Sequence, residues 1–236
     1  MIFILPVIAV AGVYIGYSPF FRIEKMNQSA VLNWSLIVFS IFTILIIAHS
    51  LGYFSQDAGA WFMMSLYSFL AGFFFGYAIR LLKIRSKTGK ILYINRSFWT
   101  DHAPNLISIL IILYGIYRTS VLIDDPVTGI RLTSGLSLMA FGFFGWTLKI
   151  VPEFRANGIL LFDKIVKWPH LISWSWHSEE VILLEYLSEP GTENEHIRQF
   201  LTNVPEEDRL RIEDILKSRM EEFAEERKKL LFKEEE

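Results

Sequence analysis

Hydrophobic positions along this chain follow two regimes that meet near Lys149. Before it, uncharged apolar runs succeed one another at residues 2–17, 31–53, 61–82, 104–123 and 132–150, with short polar breaks between them. A helix needs about 20 such residues to cross roughly 30 Å of hydrocarbon. The pattern therefore predicts a membrane α-helical bundle of about five transmembrane helices over residues 1–150. Pro104 is placed to open the fourth, where its missing N–H goes unused. The first run could be a signal peptide, with Ala9-Val10-Ala11 as its cleavage site, but no Lys or Arg precedes Arg22. It is therefore expected to stay as a span.

Past Glu153 the period shortens. GILLF at residues 158–162 reads as a buried strand, and Ile172, Trp174 and Trp176 alternate with Ser173, Ser175 and His177 as a half-buried one. VILLEYLS at 181–188 and HIRQFLTNV at 196–204 predict two more strands, although the second also fits a helical spacing. Ile212, Leu216, Met220 and Phe223 then recur on one face of a terminal amphipathic helix, with Asn203 as its cap and Pro205 and Glu206 in its first turn. The closing KKLLFKEEE is expected to fray. Residues 151–227 thus form a small α+β domain and residues 228–236 a charged tail.

Charge adds a direction. Arg22 and Lys25 follow the first run, and Arg80, Lys83, Arg85, Lys87, Lys90 and Arg96 follow the third, whereas FSQDAGA after the second has no basic residue. By the positive-inside rule this places the N-terminus outside and the C-terminal domain in the cytoplasm, at a plasma (inner) membrane. Trp34, Trp61, Trp99 and Trp146 fall near run ends, where interfacial rings settle. The total charge of −2 says little about partners, and nothing in the pattern asks for nucleic acid.

Candidate chemistry is sparse. There are no cysteines, which removes disulfides, thiol catalysis and Cys-ligated metals. No HExxH or GxSxG pattern occurs, and no run carries a central carboxylate of the kind coupled transport uses. His49 and Arg118 are the ionisable residues near run ends, with Asp124 or Asp125 as a partner for Arg118. His102 follows Asp101, whose expected role is to cap the helix before Pro104. No enzyme activity, cofactor or metal is expected. Gly12/Gly16 and Gly72/Gly76 form two GxxxG patterns that let helix backbones approach closely, within a chain or between copies, and Gly142 and Gly145 give the fifth run a similar flat face.

The order of elements in the last third also carries a resemblance. Gly158, Ile159 and Leu160, then Ile165, Trp168, Ile172, Trp174 and Trp176, then Leu183 and Leu184, and a Val204–Glu207 stretch opening a helix, together resemble bacterial pleckstrin-homology-like (PH-like) domains. The likeness is to uncharacterised bacterial polytopic membrane proteins that carry such a domain. It implies a bent sheet plugged by the C-terminal helix, reduced in strand number here, with GKILYIN at 89–95 as a contributor. It implies no catalytic residue.

The expected function is a non-enzymatic integral membrane protein whose cytoplasmic domain mediates protein or lipid contacts within a membrane complex. The alternative is a small channel or permease with a regulatory domain. The bilayer, and a protein partner or a second copy, are the expected partners. Headgroup or partner contacts are assigned to Arg80, Lys83, Arg85, Lys87, Lys90, Arg96, Arg155, Lys164 and Lys167. Trp168 and Trp174 are expected in the domain core, against the reading of Trp168, Trp174 and Trp176 as a ligand platform.

Overall fold

The computed structural model describes residues 3–19, 21, 28–53, 55–122, 126–188 and 196–231. The chain divides into two compact units, one of residues 1–82 and 101–148, the other of residues 83–100 and 149–236.

The first unit is helical. It holds α1 (Ile4–Tyr17), α2 (Gln28–Ser50), most of α3 (Gln56–Lys87), α4 (Ala103–Arg118) and α5 (Gly129–Thr147). Glycine brings α1 and α3 together. A Cβ added at Gly12 would fall on the Phe69 carbonyl oxygen, and one at Gly16 on that of Phe73. From the other side, a Cβ at Gly72 would fall on the Ala9 carbonyl and one at Gly76 on that of Val13. The two GxxxG patterns are thus two halves of one seam, with backbone against backbone. α4 and α5 share a second seam, where Gly135 abuts the Gly115 carbonyl and Gly142 that of Ser108. The buried hydroxyls of Ser108, Thr119, Thr133, Ser134 and Thr147 donate to carbonyls three or four residues back in their own helices. Such bonds satisfy the hydroxyls locally, so the seams need no polar partner.

The expectation of about five transmembrane helices is overturned. Among the described residues one helix, α3, is long and apolar enough to cross a membrane; Ile4–Tyr17 and Ser35–Ser50 are shorter apolar stretches. The physical reasons are local. α1 stops because Ser18, extended at φ −63° and ψ 146°, precedes Pro19. α4 ends at Arg118 because Thr119 turns its hydroxyl onto the Ile116 carbonyl at 2.6 Å and Ser120 enters the left-handed region at φ 61°. Arg131 Nη1 then donates to Ser120 Oγ at 3.0 Å. α5 carries Thr133, Ser134 and Ser137 inside its apolar stretch. α3, by contrast, runs beyond the predicted 61–82 at both ends, for 32 residues or about 48 Å.

Around α4 the local expectations change as well. Asp101 lies within a π-helical turn, Phe98–His102, and the N-cap position falls to His102, whose side chain makes no capping bond. Asp124 and Asp125, the expected partners of Arg118, lie outside the described residues.

The second unit contains two antiparallel sheets where one bent, reduced sheet was expected. The first has the order β1 (Ile91–Ile94), β2 (Glu153–Arg155), β3 (Gly158–Leu161), β4 (Lys164–Val166); the second is β5 (Leu171–Trp176), β6 (Val181–Ser188), β7 (His196–Asn203). Among the described residues seven strands are reached because β1 comes from far upstream: Ile94 pairs with Glu153 and Tyr93 with Phe154, although α4 and α5 intervene in the chain. One core joins both sheets, with Tyr93, Phe154, Ile159, Trp168, Ile182 and Leu184 packed with Ile212 and Leu216. Trp168 is 1% exposed, in a 3-10 turn Trp168–His170, while Trp174 and Trp176 pack partly buried at the core margin.

The terminal helix differs in its start and its end. Asn203 is the last residue of β7 and not a cap; α6 (Arg209–Glu222) follows a 3-10 turn at Glu206–Asp208. The helix breaks at Phe223 and resumes as α7 (Ala224–Leu231), so residues 228–231 are helical where fraying was expected. Polar bonds tie β1 to this end of the chain. Tyr93 Oη donates to Asp208 Oδ2 at 3.1 Å, Asn95 Nδ2 to the Asn203 carbonyl at 3.0 Å, and Arg211 Nη2 to the Leu92 carbonyl at 3.3 Å.

A direct test splices the unit. Ile94 and Glu153 are paired neighbours, so a short turn replacing residues 96–151 should give a folded, monomeric protein of residues 83–95 and 152–231. The fragment starting at 149 lacks β1, uncovers Phe154 and should aggregate; equal thermal stability of the two proteins would show β1 to be dispensable.

Candidate functional site

A buried ion pair of the second unit lies where α3 gives way to β1. Thr88 follows the helix, fully buried, with its hydroxyl on the Arg85 carbonyl at 2.7 Å, and Gly89 adopts φ +76°. That is the left-handed ending at which glycine is favoured after a helix. Arg155 on β2 fills the opening this creates. Its Nη1 donates to the carbonyls of Gly89 at 2.8 Å and Arg85 at 3.3 Å. A cation on the last carbonyls of a helix satisfies orphan acceptors and opposes the helix dipole.

Burial of that cation requires an anion. Glu153, 2% exposed, accepts from Arg155 Nε at 2.7 Å and lies 2.6 Å from Nη2, and Arg85 Nη2 stands 3.7 Å from its other oxygen. Trp168 adds a further clamp, its Nε1 shared between the carbonyls of Arg155 and Ala156 at 3.1 and 3.0 Å.

This corner sorts the basic residues assigned from sequence. Arg155 is spent inside it. Arg80, in the helical unit, is also buried; its Nη1 donates to the carbonyls of Ser18 at 3.0 Å and Phe21 at 2.6 Å, and its guanidinium lies 5.2 Å from the Tyr77 ring. Lys164 donates to Ser188 Oγ at 2.9 Å above the Tyr186 ring. Lys83, Lys87, Lys90, Arg96 and Lys167 are exposed, and Arg85 is half-buried. Gly12, Gly16, Gly72 and Gly76 meet in the helical unit, as described above.

Two polar clusters were not legible beforehand, because they depend on strand register. Ser173 Oγ and Gln199 Nε2 both donate to Glu185, at 2.5 and 2.8 Å, across β5, β6 and β7. The Ser173 bond, then that of Gln199, holds the Glu185 carboxyl below its ordinary pKa. At the α6 face, Trp176 Nε1 donates to Glu213 Oε1 at 2.8 Å, with the Arg209 guanidinium 4.6 Å from the Trp176 ring and Lys217 Nζ 3.5 Å from Glu213 Oε2. The Trp176 bond, then the Lys217 charge, lowers the Glu213 pKa. Inside the core, burial and then the Asp208 bond raise that of Tyr93.

None of this is a catalytic constellation. No cluster of three or more His, Asp or Glu able to hold a metal occurs among the described residues. In the helical unit a groove of about 520 Å³ lies between α1, α3, α4 and α5, walled by Ala9, Val13, Gly72, Phe75, Met139 and other apolar residues. A second hollow of about 250 Å³ shares Ala9, Ala71 and Leu136 with it. The walls of the first offer a ligand no polar side chain to orient it, whereas Ser68 and Thr133 line the second. His49 borders another apolar hollow with Phe42, Gly59 and Phe62.

By fold the second unit is a two-sheet α+β module, stapled by a buried ion pair and displaying lysines. Residues 150–221 of it, from just before β2 to the last turn of α6, match the family described as Domain of unknown function (DUF5673). No curated protein and no solved structure matches the chain.

Two outcomes test this construction. Glu153→Gln leaves Arg155 buried without its counter-ion and should destabilise the second unit by about 3–5 kcal/mol, read from hydrogen exchange of the β2 and β3 amides. The double change Glu153→Leu/Arg155→Met should lose less than the two single changes summed. Glu213 sets a pH dependence. Its lowered pKa gives stability that is full above the ordinary Glu value of about 4 and is lost as pH falls through the lowered one. Glu213→Gln should therefore lower the urea midpoint of the second unit near neutrality, and the gap to wild type should close in acid.

Proposed function

We propose that this chain is a non-enzymatic, membrane-anchored adaptor. The helical unit anchors it, and the two-sheet module stands at the cytoplasmic face, contacting protein or lipid within a membrane complex. The observation that carries the reading is α3. It is 32 residues long, only 28% of its most apolar 18-residue window is buried, and it ends in Arg85 and Lys87. A core helix of a soluble protein would be mostly covered. Here Phe62, Phe75 and Ile79 of α3 are exposed, as are Leu36, Phe39 and Ile46 of α2 and Leu106, Ile107 and Leu110 of α4. Apolar surface on this scale has an obvious solvent in lipid.

The basic end of α3 favours the cytoplasmic side. The module itself is two sheets with a helix packed on their shared core. Fold alone assigns it no ligand. The absence of cysteine makes sidedness easy to measure. Cysteines placed at exposed Ser55 and Ser178 should divide, with an impermeant maleimide reaching position 55 in intact cells and position 178 only after lysis. Ser188 would serve badly, since it is buried and bonded to Lys164. Extraction of the whole protein by alkaline carbonate, or labelling at 178 alone, would sink the reading.

A further inference from the structure

We propose that Lys87, Lys90 and Lys167 form one docking surface for anionic phospholipid headgroups, an inference that rests on the membrane-anchored reading above. Nearly eighty residues separate the first two lysines from the third in sequence, yet the backbones of Lys87 and Lys90 bond the short turn between β2 and β3, and that of Lys167 lies against Gly158, the residue that follows the turn. Asn157 Nδ2 donates to the Lys87 carbonyl at 3.0 Å and Ala156 N to the Lys90 carbonyl at 2.9 Å. A Cβ on Gly158, which has φ +147°, would come to 3.0 Å from Lys167 Cα. The Trp168 indole, bonded to the carbonyls of Arg155 and Ala156, keeps Lys167 at that turn.

All three side chains are exposed. Glu153, the carboxylate of β2, is consumed by Arg155 and does not offset them. Three like charges held together on rigid backbone call for an anionic counterpart.

α3 identifies which one. Lys87 is its last residue, five beyond Leu82 at the end of the predicted apolar run, or about 7 Å along the helix axis. That distance lies within the Debye length of about 8–10 Å over which an anionic leaflet attracts basic residues. A soluble acidic partner would need no such placement. Arg96, though exposed, lies outside the turn, and Arg80, Arg155 and Lys164 are engaged within the fold.

The test uses the full chain in nanodiscs of phosphatidylglycerol and of phosphatidylcholine, pulse-labelled with a water-soluble amine reagent and mapped by mass spectrometry. Lys87, Lys90 and Lys167 should label several-fold more slowly in phosphatidylglycerol, relative to Lys217 and Lys229 on α6 and α7, and molar salt should abolish the difference. In mixed discs, Lys87→Gln/Lys90→Gln/Lys167→Gln should reduce enrichment of phosphatidylglycerol around the protein at least about tenfold, given about fivefold per lysine near a surface. Lys217→Gln/Lys229→Gln should leave it unchanged. Equal labelling in the two lipids overturns the proposal, as does an unaltered preference in the triple variant. Protection by millimolar inorganic phosphate in phosphatidylcholine discs would overturn it in favour of a free-phosphate site. A chain that fails to enter the discs at all instead defeats the anchored reading on which the proposal rests.

Discussion

The second unit depends on one buried guanidinium. Arg155 donates to the Arg85 carbonyl near the end of α3, which the Thr88 hydroxyl also reaches, and to the carbonyl of Gly89 in the turn that follows. A buried cation is tolerable only with an anion beside it, so Glu153 must be buried too. Because both residues lie on β2, a single strand fixes helix end, turn and sheet edge together. The arrangement makes residues 83–94 part of the β module, of which the sequence marked only GKILYIN at 89–95 as a contributor. Trp168 then ties the β2–β3 turn to the segment that opens the second sheet.

The helical unit rests on a different constraint, the absence of side chains at six positions. In the membrane-anchored reading proposed above, association of apolar helices gains nothing from burying hydrocarbon and must come from close packing. Gly12, Gly16, Gly72 and Gly76 allow α1 and α3 to meet backbone to backbone, and Gly135 and Gly142 do the same for α5 against α4. The small residues that create these seams also leave the hollow beside Ala9, Gly72 and Ala140. Tight backbone contact along one line and empty space beside it have a common origin in residue size.

Legibility followed the range of the forces involved. Periodicity is local, and the strands at 158–161, 171–176, 181–188 and 196–203 lie where alternation predicts them. The core face of the terminal helix was legible for the same reason, with Ile212 and Leu216 fully buried. Hydropathy placed the end of α1 at Tyr17 but ran α4 on to residue 123, because that helix ends at Arg118 through a single backbone decision at Ser120 that an averaged window cannot register. Among the basic residues, sequence could mark the cluster but not divide it. Whether an Arg faces water or a buried carboxylate depends on which strand lies opposite. Arg155 and Glu153, two apart on one strand, gave no sign that both point inward, since β2 is covered on both faces.

The most consequential point concerns continuity. The domain was bounded at residues 151–227 with GKILYIN at 89–95 as a contributor from outside, and β1 lies within that stretch; the family match likewise begins at residue 150, after β1 has passed. A sheet that began at β2 would present Phe154 and the unpaired backbone of β2 at an open edge, an arrangement that invites association with other strands. The chain covers that edge with residues 91–94 and places α4 and α5 in the connection. Since Ile94 and Glu153 are direct partners, both ends of the insertion leave from the same point on the sheet edge, and the register is indifferent to how much chain lies between them. Closing a long connection costs only about 0.6 kcal/mol more for each doubling of its length, which the burial of Tyr93 and Phe154 readily offsets. An antiparallel neighbour pair is therefore a place where helices can be inserted without disturbing the strands they interrupt.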